Sequence, residues 1–366
     1  MKSFSRRDLF YLTGAGALAG ASSHSDLLAQ QQFPPAVAAP PIYPFTARSA
    51  VSLVRGSDRR KNVIQALEAV DREIRPVLSR KKYVVIKVNN VSTTIQLAAT
   101  HVDAVRGILD YLAPRFKGPV VIAESSAADT LEGFENFKYA QVIAEYKPRQ
   151  ISLVDLNRER KYEIFSIVDR DIRPIPVRLA ARLLDPDAFV LSSAMLKTHN
   201  AVVATMSVKN MVIGTPLHSV AGETPVWHDK GKYHARPTPA VPGTDGSFHA
   251  MNYSMGITAL RLRPNWGAAL IDGFEGMEGN GPSGGTPVPT QVALASTDFL
   301  AADRVALEVM GLPPHAVGYL QYASQLGVGQ YDLARIDIRG EKPESVRRVF
   351  RLHDSVERQL RWLQQA

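Results

Sequence analysis

Five short, continuously apolar runs, each ending in polar or ionisable residues, restrict this chain more than any other feature. Tyr83–Val88 runs into Asn89 and Asn90, Val120–Ala123 into Glu124-Ser125-Ser126, and Ile151–Val154 into Asp155. Phe189–Leu191 runs into Ser192-Ser193, and Trp266–Ile271 into Asp272. Strands that are apolar throughout, rather than at alternate positions, are buried on both faces, as in a parallel sheet covered by helices. Between them lie segments with helical spacing: Val63, Ala66, Leu67, Val70, Ile74 and Val77, then His101–Leu112, then Phe134–Tyr146. The expected fold class is therefore α/β, a mostly parallel sheet with helices on both faces. The carboxyl ends of parallel strands share one edge, where such folds hold ligands, so Asn89, Glu124, His199 and Asp272 are expected to converge there. Any one of them is more often a turn or cap residue. Several ionised groups together require a ligand, a metal or mutual pairing.

The chain opens differently. Ser5-Arg6-Arg7-Asp8-Leu9-Phe10 precedes a mild Gly/Ala-rich apolar run and a small-x-small sequence, Ala19-Gly20-Ala21. This order resembles a twin-arginine export signal over residues 1–29, with Leu9 where the usual motif has Phe and no lysine after it. The run is too short and weakly apolar for a membrane span, so no stable span is expected after cleavage. The resemblance implies passage through the Tat translocase in folded form, and a periplasmic or otherwise exported destination. Residues 30–47 form a proline-rich linker that cannot pack a core, and 48–366 remain as one α/β domain. A proline-, glycine- and histidine-containing insertion at 215–248 carries His218, His228 and His234, with His249 just beyond it, and reads as a surface excursion or a lid over the site. After it come strand Val292–Ala295, helices Leu300–Met310 and His315–Leu326, a last strand around Ile336 and Ile338, and a helical tail at 343–366.

The chain contains no cysteine, which removes disulfides, thiol nucleophiles, Cys-ligated zinc and an ordinary Fe–S cluster. The formal charge is +8, but basic residues are interleaved with acids and accompany no binding motif, so nucleic acid is not expected as a partner. A basic surface suits an anionic small molecule or envelope component.

Two segments carry the chemistry. Lys197-Thr198-His199-Asn200, with Lys209-Asn210 and Gly214 further on, supplies charge and neutral donors for an anion. Lys197, His199 and Lys209 are the catalytic candidates, and Lys87, Asn89, Thr198, Asn200 and Asn210 the binding candidates. The plainer reading pairs Lys197 and Lys209 with nearby acids. The second segment, Ile271–Asp303, strings Asp272, Glu275 and Glu278 along a glycine-rich loop, with Asp298 and Asp303 at the next strand–helix junction. Together with Glu124, Asp272, Glu275 and Glu278 are candidate ligands for a divalent metal of unassigned identity. A solvated turn with helix-capping acids is the plainer alternative. The glycine run Gly279–Gly285 is neither a Walker loop nor a dinucleotide signature.

Lys87–Asn90, Glu124–Ser126, Ser192–Gly214 and Asp272–Gly285 with Ala295–Asp303 resemble the DUF362 family. Its members share a Lys-Thr-His segment, a Lys-Asn followed by Gly, and a Gly-Met-Glu-Gly-x-Gly-Pro loop. The resemblance covers most of residues 80–312. Many members resemble iron–sulfur proteins through a ferredoxin-like segment or cysteines, and this chain has neither. There is also a similarity in style, at the level of fold, to the N-terminal part of nickel-dependent racemases. Two readings of function stand: an exported enzyme acting on an anionic small molecule or envelope component, and a non-catalytic periplasmic binding protein for an acidic ligand or metal complex.

Overall fold

The computed structural model describes residues 45–234 and 247–363. Arg6, Arg7, the linker up to Pro44, and Pro237, Pro239 and Pro242 of the insertion lie outside the described residues. The strands are β1 (Ser49–Arg55), β2 (Tyr83–Lys87), β3 (Val120–Glu124), β4 (Ile151–Asp155), β5 (Tyr162–Val168) and β6 (Pro174–Ala180). They continue with β7 (Ala188–His199), β8 (Val203–Thr205), β9 (Trp266–Glu278), β10 (Thr286–Val288), β11 (Val292–Ser296) and β12 (Ile336–Gly340). The main sheet runs β12-β1-β11-β9-β7-β2-β3-β4, with β10 on β9 and β8 on β7; β5 and β6 form a separate hairpin.

All neighbours from β9 through β7, β2 and β3 to β4 are parallel, whereas β11 runs antiparallel to both β9 and β1. The expected mostly parallel α/β sheet is thus present, with an antiparallel strand near one edge. Alternation along β2 shows how it is covered. Val84 and Ile86 join a core with Leu67, Val105 and Ile108, while Val85 joins a second core with Val190, Val208, Met255 and Val305. Successive strand residues face opposite sides, so the helices Arg59–Ala69 and Val102–Leu112 cover one face. The helices Ser207–Gly214, Ser247–Leu262 and Phe299–Met310 cover the other.

Three local expectations change. The helix expected over Phe134–Tyr146 is two short helices, Thr130–Asn136 and Tyr139–Glu145, parted at Lys138, whose φ of 62° no helix tolerates. The Asp129 carboxylate starts the first by accepting from the Leu131 and Glu132 amides. The acidic loop is largely strand: β9 continues through Asp272, Glu275 and Glu278 and turns back through β10, with Glu278 opposite Thr286. The tail is not one helix. Helical residues occur at Pro343–Val346 and from Val356, and between them Arg348 and Phe350 donate their amides to Val309 and Met310. Phe350, at 2% exposure, is buried by this path, which a continuous helix could not follow. Strand β1 and the β5–β6 hairpin are further elements without an expected counterpart. The former excursion delivers a short helix, Asp229–Tyr233, and an isolated bridge between His218 and His228.

Candidate functional site

Register sets the site. Lys87, the last residue of β2, lies between Ser192 of β7 and Ala123 of β3, and Glu124 lies beside Asp155 of β4. The carboxyl ends of β2, β3 and β7 therefore open together, and between them, the helix Ser207–Gly214 and the segment around Asp229–Tyr233 lies a cavity of about 480 Å³. Its wall includes Lys87, Glu124, His199, Lys209, Lys230 and Arg358.

Glu124 is the carboxylate of this cavity wall, and it is fully engaged. Its Oε1 meets Lys87 Nζ at 2.6 Å and accepts the Ser125 amide, while Oε2 accepts the Asn90 amide at 2.7 Å. Lys87 also donates to Val88 O and to Asn210 Oδ1. Burial lowers the Lys87 pKa, and Glu124 opposes that shift. Gly214 lets the ammonium in: a Cβ there would stand 2.5 Å from Lys87 Nζ. That contact explains the Lys-Asn…Gly spacing, since Asn210 and Gly214 hold the same lysine.

Behind the wall, Asn210 Nδ2 donates to Lys87 O and Ser192 Oγ, and its Oδ1 also accepts from Asn89 Nδ2. Asn89 Oδ1 accepts in turn from Lys197 Nζ at 2.6 Å, and Lys197 gives a second proton to Ala98 O. Lys197 is thus fully buried and committed, and its role is to position Asn89 rather than to meet a ligand. Thr198 is committed likewise, donating to Gly279 O at 2.8 Å and tying the end of β7 to the glycine turn. Gly281 packs against Thr198 O there, where no side chain fits. Asn200 is exposed at the cavity rim.

His199 accepts the Ala201 amide through Nδ1, which leaves the proton on Nε2. Burial, then the charge of Lys209, pushes its pKa far below the ordinary histidine value, so it is neutral at pH 7. Its ring stacks on His234, 6.2 Å between centroids, and burial lowers His234 to about 3. Lys230 donates to Ser125 Oγ and Ile213 O, both at 2.8 Å. Lys209 differs from the other three buried lysines. It is 4% exposed, and among the described residues nothing accepts a hydrogen bond from its Nζ. Burial brings Lys197, Lys209 and Lys230 each down to about 7. Asp303 holds the helix carrying Lys209 in place, accepting the Ser207 and Val208 amides at its N-terminus; burial raises that carboxyl to about 7. Three further wall side chains keep unpaired buried donors: Asn90 Nδ2, Ser126 Oγ and Thr205 Oγ1.

Of the residues picked from sequence, the cavity gathers Lys87, Asn89, Glu124, His199, Asn200, Lys209 and Asn210. It does not gather the acidic set. Asp272 is buried against Arg59, Nε to Oδ2 3.2 Å, and accepts the Phe274 amide. Glu275 is exposed, and Glu278 accepts the Arg351 amide. With Glu124 bound by Lys87, the three partnered carboxylates have separate partners and Glu275 faces solvent. Among the described residues no group of three His, Asp or Glu could hold a metal ion. A divalent metal does not fit this donor set. His228 and His234 of the wall come from the insertion read as a surface excursion or a lid over the site, whereas Lys230 and Arg358 are wall residues that sequence reasoning missed. Lys230 lies in that histidine-bearing insertion, whose composition was the available signal; nothing local marks Arg358.

Fold and site together define an α/β protein with a strongly cationic cavity at the carboxyl edge of its parallel strands. The chain belongs to the family described as Domain of unknown function (DUF362), whose match spans residues 84–308. No curated protein matches it. Among solved structures it is similar to a structural-genomics protein of Thermotoga maritima, at 10% identity and a TM-score of 0.41, covering 75% of this chain and 60% of that one. It is also similar to the lactate racemase apoprotein of Thermoanaerobacterium thermosaccharolyticum, at 12% identity and a TM-score of 0.41, covering 73% of this chain and 58% of that one. This chain thus spans under two thirds of either structure.

Proposed function

We propose that this is an exported protein that acts on a small organic anion held in the cavity between β2, β3, β7 and the insertion. The observation that carries the reading is the charge balance of the wall: among the described residues, Lys87, Lys209, Lys230 and Arg358 face one carboxylate, Glu124, already taken by Lys87. Uncompensated buried ammonium groups are costly, and a ligand carboxylate or phosphate relieves that cost. Asn90 Nδ2, Ser126 Oγ and Thr205 Oγ1 add neutral donors for ligand oxygens. Lys230 and Arg358 come from segments outside the sheet and hold the anion; His199 Nε2–H donates to it and serves proton transfer. The paired arginines at Arg6-Arg7 support export through the Tat translocase, with an envelope component as one source of the anion.

The test is thermal unfolding in a panel of small carboxylates and phosphates at constant ionic strength, with each stabilising compound then followed by NMR for conversion. An anion at about 100 times its Kd stabilises by about 2.7 kcal/mol. Lys230→Met and Arg358→Met should each reduce that stabilisation. If no anion stabilises beyond the salt control, or both variants respond like the wild type, the reading fails. A stabilising anion recovered unchanged under all conditions would make the chain a binding protein.

A further inference from the structure

We propose that Lys209 is an amine nucleophile, and that the anion this cavity takes carries an aldehyde or ketone beside its carboxylate, as a small 2-oxo acid does. The inference rests on the anionic-ligand reading above and narrows its substrate class.

Four lysines are buried around this cavity, and three are held by acceptors. Lys87 is held by Glu124, Val88 O and Asn210. Lys197 is held by Asn89 and Ala98 O, and Lys230 by Ser125 and Ile213 O. A lysine bound in this way spends its protons on fixed oxygens and offers a ligand only its charge. Lys209 has no such acceptor among the described residues, yet it lines the cavity on a helix whose N-terminus is pinned by Asp303. An anion-pairing or structural lysine does not need this arrangement, and an attacking amine does. Desolvation and cationic neighbours are the two devices that free a lysine amine at neutral pH. The first operates here: burial brings Lys209 to about 7, and its charge is in turn felt by Lys197, His199, His234 and Lys230.

The step balances without a further reagent. The Nζ lone pair forms a bond to the carbonyl carbon as the C–O π bond breaks, giving a carbinolamine. The carbonyl oxygen then leaves as water, taking one proton of the free amine and one from solvent, while the other amine proton stays on nitrogen, so a protonated C=N replaces C=O. Nothing is oxidised or reduced. His199 Nε2–H, the ring donor left after Nδ1 accepts the Ala201 amide, is the donor for the departing oxygen. The substrate carboxylate balances the charge of the protonated imine in a wall that has no free carboxylate among the described residues.

The experiment is reductive trapping. Protein purified after export is mixed at pH 7 with glyoxylate, the smallest anionic carbonyl, or with pyruvate, then treated with cyanoborohydride and mapped by proteolysis and mass spectrometry. At pH 7 about half of an amine with a pKa near 7 is free, against roughly one in 2,500 for an ordinary lysine. Even after allowing for its lower basicity, Lys209 should label at least about tenfold faster than any exposed lysine. Lys209→Arg keeps the charge and cannot form the imine, and should lose the adduct while still being stabilised by pyruvate or glyoxylate. Should that variant fail to fold, acetate competition against wild-type labelling gives the same information, because an anion in the cavity must slow trapping at Lys209 and leave exposed lysines unaffected. Stabilisation by these acids with no adduct at Lys209 overturns the nucleophile and leaves the anion site standing. Adducts spread evenly over exposed lysines overturn it too. Neither stabilisation nor adduct removes both readings.

Discussion

Replacing Glu124 with Gln tests the electrostatic core of the site directly, because it preserves shape and removes one charge. Gln offers one acceptor oxygen where the carboxylate serves three donors: the Asn90 amide, the Ser125 amide and Lys87 Nζ. Whichever way the amide turns, its NH2 confronts a donor. Removing one member of a buried ion pair costs about 3–5 kcal/mol, since the other charge stays behind without its partner. Lys87 sets its own ceiling on that cost. Giving up its proton at pH 7, rather than near the ordinary lysine pKa of about 10.4, costs about 4.6 kcal/mol. The expected loss is therefore about 4 kcal/mol, or about 8 °C in Tm at about 2 °C per kcal/mol for a large domain. The pH dependence identifies the cause. Loss of Glu124 lowers the folded-state pKa of Lys87 further, so the folded protein binds fewer protons than the unfolded chain up to about pH 10.4. The penalty is then full at low pH and shrinks as pH rises, so moving from pH 7 to 9 should return up to about 2.7 kcal/mol of the difference from wild type. The other buried lysines are common to both proteins and cancel in that difference. The assay is chemical unfolding of wild type, Glu124→Gln, Lys87→Met and the double variant at both pH values. A loss under about 1 kcal/mol, or one equal at pH 7 and pH 9, would refute the reasoning, as would strict additivity in the double variant.

The remaining predictions are shorter. Lys197, Lys209 and Lys230, lowered to about 7 in the folded protein, release protons on folding between about pH 7 and the ordinary lysine value, so ligand-free wild type should gain stability from pH 7 to 9. The gain is up to about 1.4 kcal/mol per pH unit for each lysine, and a flat or falling urea midpoint over that range would contradict it. Changing Arg6 and Arg7 together to Lys should leave unprocessed precursor in the cytoplasm by cell fractionation; processed protein outside it would remove the twin-arginine reading.

The parts of this fold that were legible in the sequence are those written in one continuous local signal. Apolar runs such as Tyr83–Val88 identify strands buried on both faces, and the fold class follows. The β5–β6 hairpin gave no such signal, since its strands are only half covered and Ile164 is 61% exposed. Asp272, Glu275 and Glu278 misled for a related reason. Glycines suggested a loop, but Gly276 is there because Phe350 and the Leu196 carbonyl leave no room for a side chain on a strand. The residue comes from tertiary crowding, and local propensity cannot separate that from a need for flexibility.

The site was half legible for a deeper reason. Strand ends reveal where polar side chains accumulate, and that placed Lys87, Asn89, Glu124, His199, Lys209 and Asn210 in one region. Sequence does not reveal how cations and acceptors are assigned to one another across elements, and the chemistry resides in that assignment. Lys197 and Lys209 read alike, each a lysine beside neutral donors, yet Lys197 is spent on Asn89 and Ala98 O while Lys209 is unspent. The acids expected to neutralise them were the only local candidates, but Asp272 is held by Arg59, more than two hundred residues earlier in the chain. With that carboxylate withdrawn and Glu124 consumed by Lys87, the cavity keeps an excess of positive charge that no sequence-local partner offsets. That excess, rather than a convergence of acids around a metal, is the observation on which the proposed anionic ligand rests.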